Sequence, residues 1–462
     1  MQKLWIVTSI MIFTLNTQAQ HIAEVLTYQP APGQLINEAP WGVASAAQSI
    51  VGTTTGTMTL GAWGGYVVFR FDTPVENHPD HPFGVDFTIF GNPMPDWSEP
   101  GIVWVMQDTN NNGEPDDTWY ELAGSDYYFS NTIKNYEVTY TNPQQNQAAN
   151  VPWNDNMGQN GLIIANSTHT QPYYPLNADF QQIPNENYTL TGTRIQPEVD
   201  STTFMTKVRK RGFGYVDNQL RGTEPWTTPD NPYTNEKENA GGDAFDISWA
   251  VDDNGNYVDL NEIDFIKVQN GMLAHGGWLG EISTEITGAA KVLPNAALSG
   301  VDQMIVLRDL PPVISTTDLQ LEALVFDQGR PIETETIVWT CTEGASIDEN
   351  RQLHVTQSGI ITITATLQSN EAITTSVTAT VYLGNAIQNV IYQTLDVYPN
   401  PAVDFIHVEQ QGELFIYNTH GQLVHNEILQ NKPVDVAHLP KGLYILKCFN
   451  NKIVSTTKLL KK

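Results

Sequence analysis

The stretch QDTNNNGEPDDTWYELAGS sets Asp108, Asn110 and Asn112 at alternate positions, then Gly113, Glu114, Asp116 and Asp117. A hard cation such as calcium takes about six to eight oxygen ligands, and alternating Asp and Asn side chains around a turning glycine can deliver several from one loop. The position that holds a bidentate glutamate in an EF-hand is Trp119 here, so this is not an EF-hand. The spacing predicts a structural calcium site at Asp108, Asn110, Asn112, Glu114, Asp116 and Asp117, pinning the loop that carries Trp119 and Tyr120. The alternative is an unliganded turn rich in Asx side chains. A second acidic turn, Asp252-Asp253-Asn254-Gly255, lies between two alternating apolar runs and reads as a hairpin.

Aromatic side chains give the other signal. Trp97 in GNPMPDWSEPG, Trp119 and Tyr120, Trp153 in VPWNDN and Trp278 in GGWLGE stand among Gly, Asn, Asp and Pro, as residues near strand ends do. Flat rings flanked by amides and carboxylates hold sugars and other amphipathic ligands, so these five are candidate ligand contacts; packing is the alternative for each. Trp104 in IVWVM and Trp249 in DISWAV read as core. No catalytic residue is assigned. There is no HExxH pair and no G-x-S-x-G elbow, and the separation of carboxylates such as Asp96, Glu99 and Glu281 cannot be read from sequence.

The elements that must position these residues are strands. Residues 20–293 alternate short apolar runs such as GGYVVFRFD and VDFTIFGN with turn residues, and no long amphipathic helix period is present. They predict a jelly-roll-like β-sandwich, the ligand-binding domain. From 308 to 385, Leu319, Leu321, Ala323 and Val325, then Ile361, Ile363, Ala365 and Leu367, then Val377, Ala379, Val381 and Leu383 alternate with polar neighbours. One face of each strand is dry. Residues 395–462 form a third, small β-sandwich, and the chain is all-β.

Residues 1–19 read as a signal peptide, with Lys3, an apolar run from Leu4 to Leu15, and cleavage expected after Ala19. No later segment is long and apolar enough to span a bilayer. Lys and Arg number 22 against 51 Asp and Glu, and a net charge of -29 repels nucleic acid. Cys341 and Cys448, in different domains, read as small apolar side chains.

Three resemblances follow from these blocks. The 308–385 segment, with VWTCTEG and its alternating strands, resembles bacterial Ig-like modules, which imply a spacer. LDVYPNPAVDFIHVE, LFIYNTHGQLVHNE and LPKGLYILK resemble the C-terminal sorting domain of the type IX secretion system of Bacteroidetes. Seven basic residues between Lys432 and Lys462, with Asp435 as the sole acid, give this tail a local positive charge. The resemblance implies recognition by the secretion machinery and delivery to the outer cell surface or the extracellular space. The blocks GGYVVFRFD, DFTIFGN, SEPGIVWV, NGEPDDTWYELAGS, RGFGYVDN and GWLGEISTE resemble a family of Bacteroidetes cell-surface proteins. That likeness implies a surface binding protein taking a glycan or small-molecule nutrient, with a corrinoid such as cobalamin as an alternative ligand. A glycan-active hydrolase or lyase and an adhesion or structural protein are the other function classes.

Overall fold

The computed structural model describes residues 20–462 apart from 203–205, 223–225, 227, 235, 384–390, 409, 420–422, 430, 431, 451 and 452. The expected leader lies outside the described residues, as does the His420-Gly421 pair, whose residue types suit a hairpin turn. The chain is a succession of β-sheets with short helical turns, as its alternating pattern requires.

The first module is built on an antiparallel sheet whose strands run, side by side, Glu24–Gln29, Tyr66–Glu76, Glu262–Asn270, Gly101–Met106, Trp119–Leu122 and Ala250–Val251. The strand from the end of the module sits in the middle of the sheet, so the module closes only when its last third has been placed. Side-chain period two divides this sheet into two faces. Val67 and Phe69, Ile266 and Val268, Val103 and Val105, and Leu122 point into the main core. There they meet Phe87, Ile89 and Phe245 from a three-stranded sheet, completing a sandwich. A four-stranded sheet, ordered Asn187–Arg194, Ile133–Thr141, Val151–Asp155 and Asn160–Ile163, adds Tyr136, Val138, Tyr140 and Tyr188 around Trp63. Trp249 is fully buried, as the sequence predicts. The 252–256 turn is held by Asp252, whose Oδ1 accepts from the backbone of Asn254 and Asn256, and Val251 bridges Tyr257 across it.

The second module carries the expected alternation. Ile361, Ile363, Ala365 and Leu367 and their partners Val377, Ala379 and Val381 are buried. On the wet face, hydroxyls pair across the strands, Thr362 with Thr378, Thr364 with Ser376 and Thr366 with Thr374. Its first strand, Gln303–Leu307, pairs with Ala323–Asp327 and belongs to two cores at once. Ile305 and Leu307 point into the second module's core, whereas Met304 and Val306, with Phe326, point into the first. Phe326 meets the edge of Phe213 at 5.1 Å between ring centroids. Around this seam Arg211 is buried between Asp126 of the first module, at 3.0 Å, and Asp309 of the second, at 2.6 Å.

The third module has a core of its own residues, Leu414, Ile416, Leu446 and Leu459 among them. Asn400 clamps its opening turn to the last strand, donating to the Lys458 carbonyl and accepting from the Leu460 amide. Cys341 and Cys448 are both free.

The shared strand and the Arg211 knot predict that the first two modules unfold together. Arg211→Ala strands two buried carboxylates and should lower the unfolding free energy by about 3–5 kcal/mol. Urea denaturation followed by hydrogen exchange checks both points; separate opening of residues 20–293 and 303–383 would contradict the seam.

Candidate functional site

The face of the large sheet turned away from the main core carries an unusual row. Register aligns Thr27 with Val68, Val68 with Lys267, Lys267 with Trp104 and Trp104 with Glu121. One rung to one side stand Gln29, Tyr66 and Gln269; one rung to the other stand Arg70, Phe265, Met106 and Trp119. Part of this face is covered by the end of the Asn187–Arg194 strand. Gly192 permits the approach, because a Cβ there would collide with the Gln269 side chain, whose amide donates to the Gly64 and Thr191 carbonyls. What stays open is a groove of about 400 Å³ lined by Tyr66, Trp119, Thr189, Thr191, Lys267 and Gln269 and rimmed by Pro115.

Lys267 is the groove's charge. Its Nζ lies 4.5 Å from the ring centre of Trp104, 5.2 Å from Trp119 and 6.0 Å from Tyr66. Desolvation pushes its pKa down to about 8, against the pull of Glu121. Glu121 itself is buried, receives the Thr193 hydroxyl and is raised by desolvation. On its other side Lys134 is also lowered to about 8, by burial, with Glu121 opposing.

The predicted cation loop forms the rim of this groove. Arg70 donates to the Gly113 carbonyl at 3.1 Å and pairs with Glu24 at 2.6 Å, and the Asp108 amide donates to Asp264 at 2.7 Å, so the loop is tied down at its first residue and at its turn. Gly113 turns it with φ 79°. Asp108 accepts from the amides of Asn112 and Gly113, Asp117 from Thr109, and Asp116 from the side-chain amides of Asn110 and Asn112 at 3.1–3.2 Å. Asn112 Oδ1 accepts from the Glu114 amide. The loop's carboxylate and amide oxygens accept from its own N–H groups.

Of the four predicted aromatic contacts whose side chains are described, Trp119 alone lines the groove. Tyr120, its neighbour, faces the other way and packs on the main core. Trp153 lies half-buried over Gly161 in the four-stranded sheet. Trp97 is 5 % exposed, and its side chain hydrogen-bonds Glu99. The Trp278 side chain lies outside the described residues. Trp104, read as core, is half-buried against Lys267 instead. Lys267 itself was legible only as a cation in the alternating strand IDFIKVQN, opposite in phase to Ile266 and Val268.

A second cluster escaped sequence reasoning because its members lie far apart in the chain. Glu99, Asp217 and Glu285 offer carboxylate oxygens all within 4.8 Å of one another, and all three are buried. Asp217 accepts from the amides of Asn92 and Glu285, Glu99 from that of Ser283, and Glu285 from the Thr59 hydroxyl. This donor set could hold a cation or share protons. Desolvation, and then repulsion from Asp217, pushes Glu99 up to about 8; desolvation also drives Asp217 and Glu285 well above the ordinary range. A larger cleft of about 1010 Å³ lies in the second module, among Leu324, Ile337, Trp339 and Arg351, with Tyr128 at its edge.

Comparison with known families matches residues 396–462 to the secretion system C-terminal sorting domain. The tail is therefore a type IX sorting domain, it engages that secretion machinery, and the protein is exported to the cell surface or the extracellular space. No helix among the described residues is long and apolar enough to cross a membrane. Comparison with curated proteins finds no match. Among solved structures, immunoglobulin domains 1–5 of Sidekick-1 align over 46 % of this chain and 50 % of theirs at 11 % identity and TM-score 0.14. Extracellular domains 3–5 of Drosophila OTK align over 45 % and 82 % at 10 % identity and TM-score 0.16. The S-layer protein rSbsC(31-844) aligns over 87 % and 53 % at 9 % identity and TM-score 0.16. This chain thus spans half the length of the first of these, and at such TM-scores the likenesses carry no argument.

The triad makes a pH prediction with a definite sign. Its carboxyls are raised above their unfolded values of 3.8–4.5, so the stability they allow is complete below about pH 4 and is lost as pH climbs toward 8. Glu281, Asp243 and Asp246, raised to about 7, 8 and 7 by desolvation, add to that slope. Glu99→Gln removes one buried charge while keeping its shape. Thermal melts from pH 5 to 8 should show the variant losing less than wild type and melting higher at pH 8; parallel curves would contradict proton sharing in the triad.

Proposed function

We propose that this exported protein is a surface binding protein whose first module captures a glycan or other small nutrient in the groove beneath the 108–117 loop. The observation that carries the reading is the meeting of Trp119 with Tyr66, Lys267 and a line of Thr and Gln side chains in one open groove. Rings supply a platform, and hydroxyl, amide and ammonium groups supply orientation, which is the composition of a small-ligand site. Binding is favoured over hydrolysis because the groove's lining, among the described residues, holds no pair of carboxylates. The buried carboxylates Glu99, Asp217 and Glu285 are not among its lining residues.

An array of glycans and cobalamin tests the assignment on the purified protein. Trp119→Ala should weaken retention of the bound ligand about tenfold, while Trp153→Ala should leave it unchanged. Equal retention by wild type and Trp119→Ala would move the site elsewhere.

Calcium belongs to the same proposal, as a structural ion of the rim. Support comes from the loop's side chains: Asn110, Asn112 and Asp116 meet within 3.2 Å, Asp108 spans the turn, and Asp264 stands behind it. Binding would require these oxygens to exchange N–H partners for the ion. At a hundredfold excess over Kd an ion that binds the native state alone adds about 2.7 kcal/mol. Millimolar calcium should therefore raise the melting temperature relative to chelator, Asp116→Ala should abolish the difference, and Asp253→Ala should keep it. Identical melts of wild type in calcium and in chelator would remove the ion from the account.

A further inference from the structure

The ammonium of Lys267 is held in an unusual way. Among the described residues it has three aromatic faces around it, 4.5–6.0 Å from ring centre to Nζ, and neither a hydrogen-bond acceptor nor an ion pair. The acid that acts on it, Glu121, is already engaged by the Thr193 hydroxyl and is shared with Lys134. Two lysines set against one glutamate give the floor of the groove a positive charge beneath a rim loop that carries Asp108, Glu114, Asp116 and Asp117. An ammonium carries three N–H donors, and rings offset only part of the cost of leaving them without acceptors.

We propose that the groove takes an anionic saccharide, one bearing carboxylate or sulfate groups, with Lys267 receiving the anion and Trp119 and Tyr66 receiving the sugar faces. This rests on the binding reading above and names its ligand class. A carboxylate or sulfate supplies the acceptors that Lys267 lacks, through short charge-assisted hydrogen bonds. Thr189, Thr191 and Gln29 line the same groove and offer hydroxyl and amide groups for the sugar's own hydroxyls. The overall charge of -29 limits the class further. A long polyanion meets repulsion from the surface at large and from the acidic rim loop, whereas a short segment can set its anion directly at Lys267 and keep its neutral sugars toward the rim. The lowered pKa of Lys267, about 8, still leaves the amine mostly charged at neutral pH.

Titration calorimetry on the full chain tests this with three probes of similar length: tetragalacturonate (carboxylate), a κ-carrageenan tetrasaccharide (sulfate, no carboxylate) and cellotetraose (neutral). Wild type should bind one or both charged probes at least about tenfold more tightly than cellotetraose, the gain expected of hydrogen bonds to a charged group. Which of the two binds identifies the anion. Lys267→Met keeps the stem within the rings and should erase that preference, while Lys267→Arg should retain it; matching thermal melts show that both variants are folded. Cellotetraose binding as tightly as the charged probes, unchanged in Lys267→Met, would overturn the anionic class and leave the groove a neutral-sugar site. If none of the three probes binds but the array yields another ligand sensitive to Trp119→Ala, the anionic class falls and the binding reading stands; if no ligand depends on Trp119, both fall.

Discussion

The strand Gln303–Leu307 has no wet face along its middle. Met304 and Val306 are packed into the first module and Ile305 and Leu307 into the second, so the two sandwiches share a wall. A spacer joined by a flexible linker could let its neighbour reorient; this seam cannot without exposing both cores. Arg211 adds direction to that packing. Its guanidinium bridges Asp126 and Asp309 out of water, an arrangement of little net stabilisation when whole and of large cost when one partner is lost. The second module therefore acts as a rigid foundation for the first.

From that foundation the groove follows as a matter of faces. The large sheet has one side in the main core, and its other side would be an ordinary wet surface were it not partly roofed by the Asn187–Arg194 strand and rimmed by the 108–117 loop. The partial cover explains why Glu121 is buried, why Lys267 is half-buried and why aromatic rings surround a lysine. The buried carboxylates at Glu99, Asp217 and Glu285 sit at a different junction, where backbone amides of Asn92, Ser283 and Glu285 converge. They are a cost of the fold that protons or a cation must offset.

Much of the architecture was legible in the sequence because strand alternation is a local signal. Ile361 to Leu367 and Val377 to Val381 are buried in the phase their spacing requires, and the tail's motifs identify its sorting domain directly. The site was legible only in part. Trp119 and the Asp108–Asp117 loop are neighbours in the chain, so their association could be read; Trp97 could not be placed, because its ring is held by Glu99 and Gly276. Lys267, Tyr66 and Trp104 come together only through the register of three strands far apart in sequence. The same holds for Asp217 and Glu285, whose proximity depends on loops that no period encodes.

The groove is the centre of the account, and its location can be measured without knowing the ligand in advance. Hydrogen–deuterium exchange of the purified protein, with and without the tightest ligand from the array, should show new protection concentrated at residues 113–121, 187–193 and 265–269. Protection confined to the second-module cleft around Trp339, or to the tail, would contradict it.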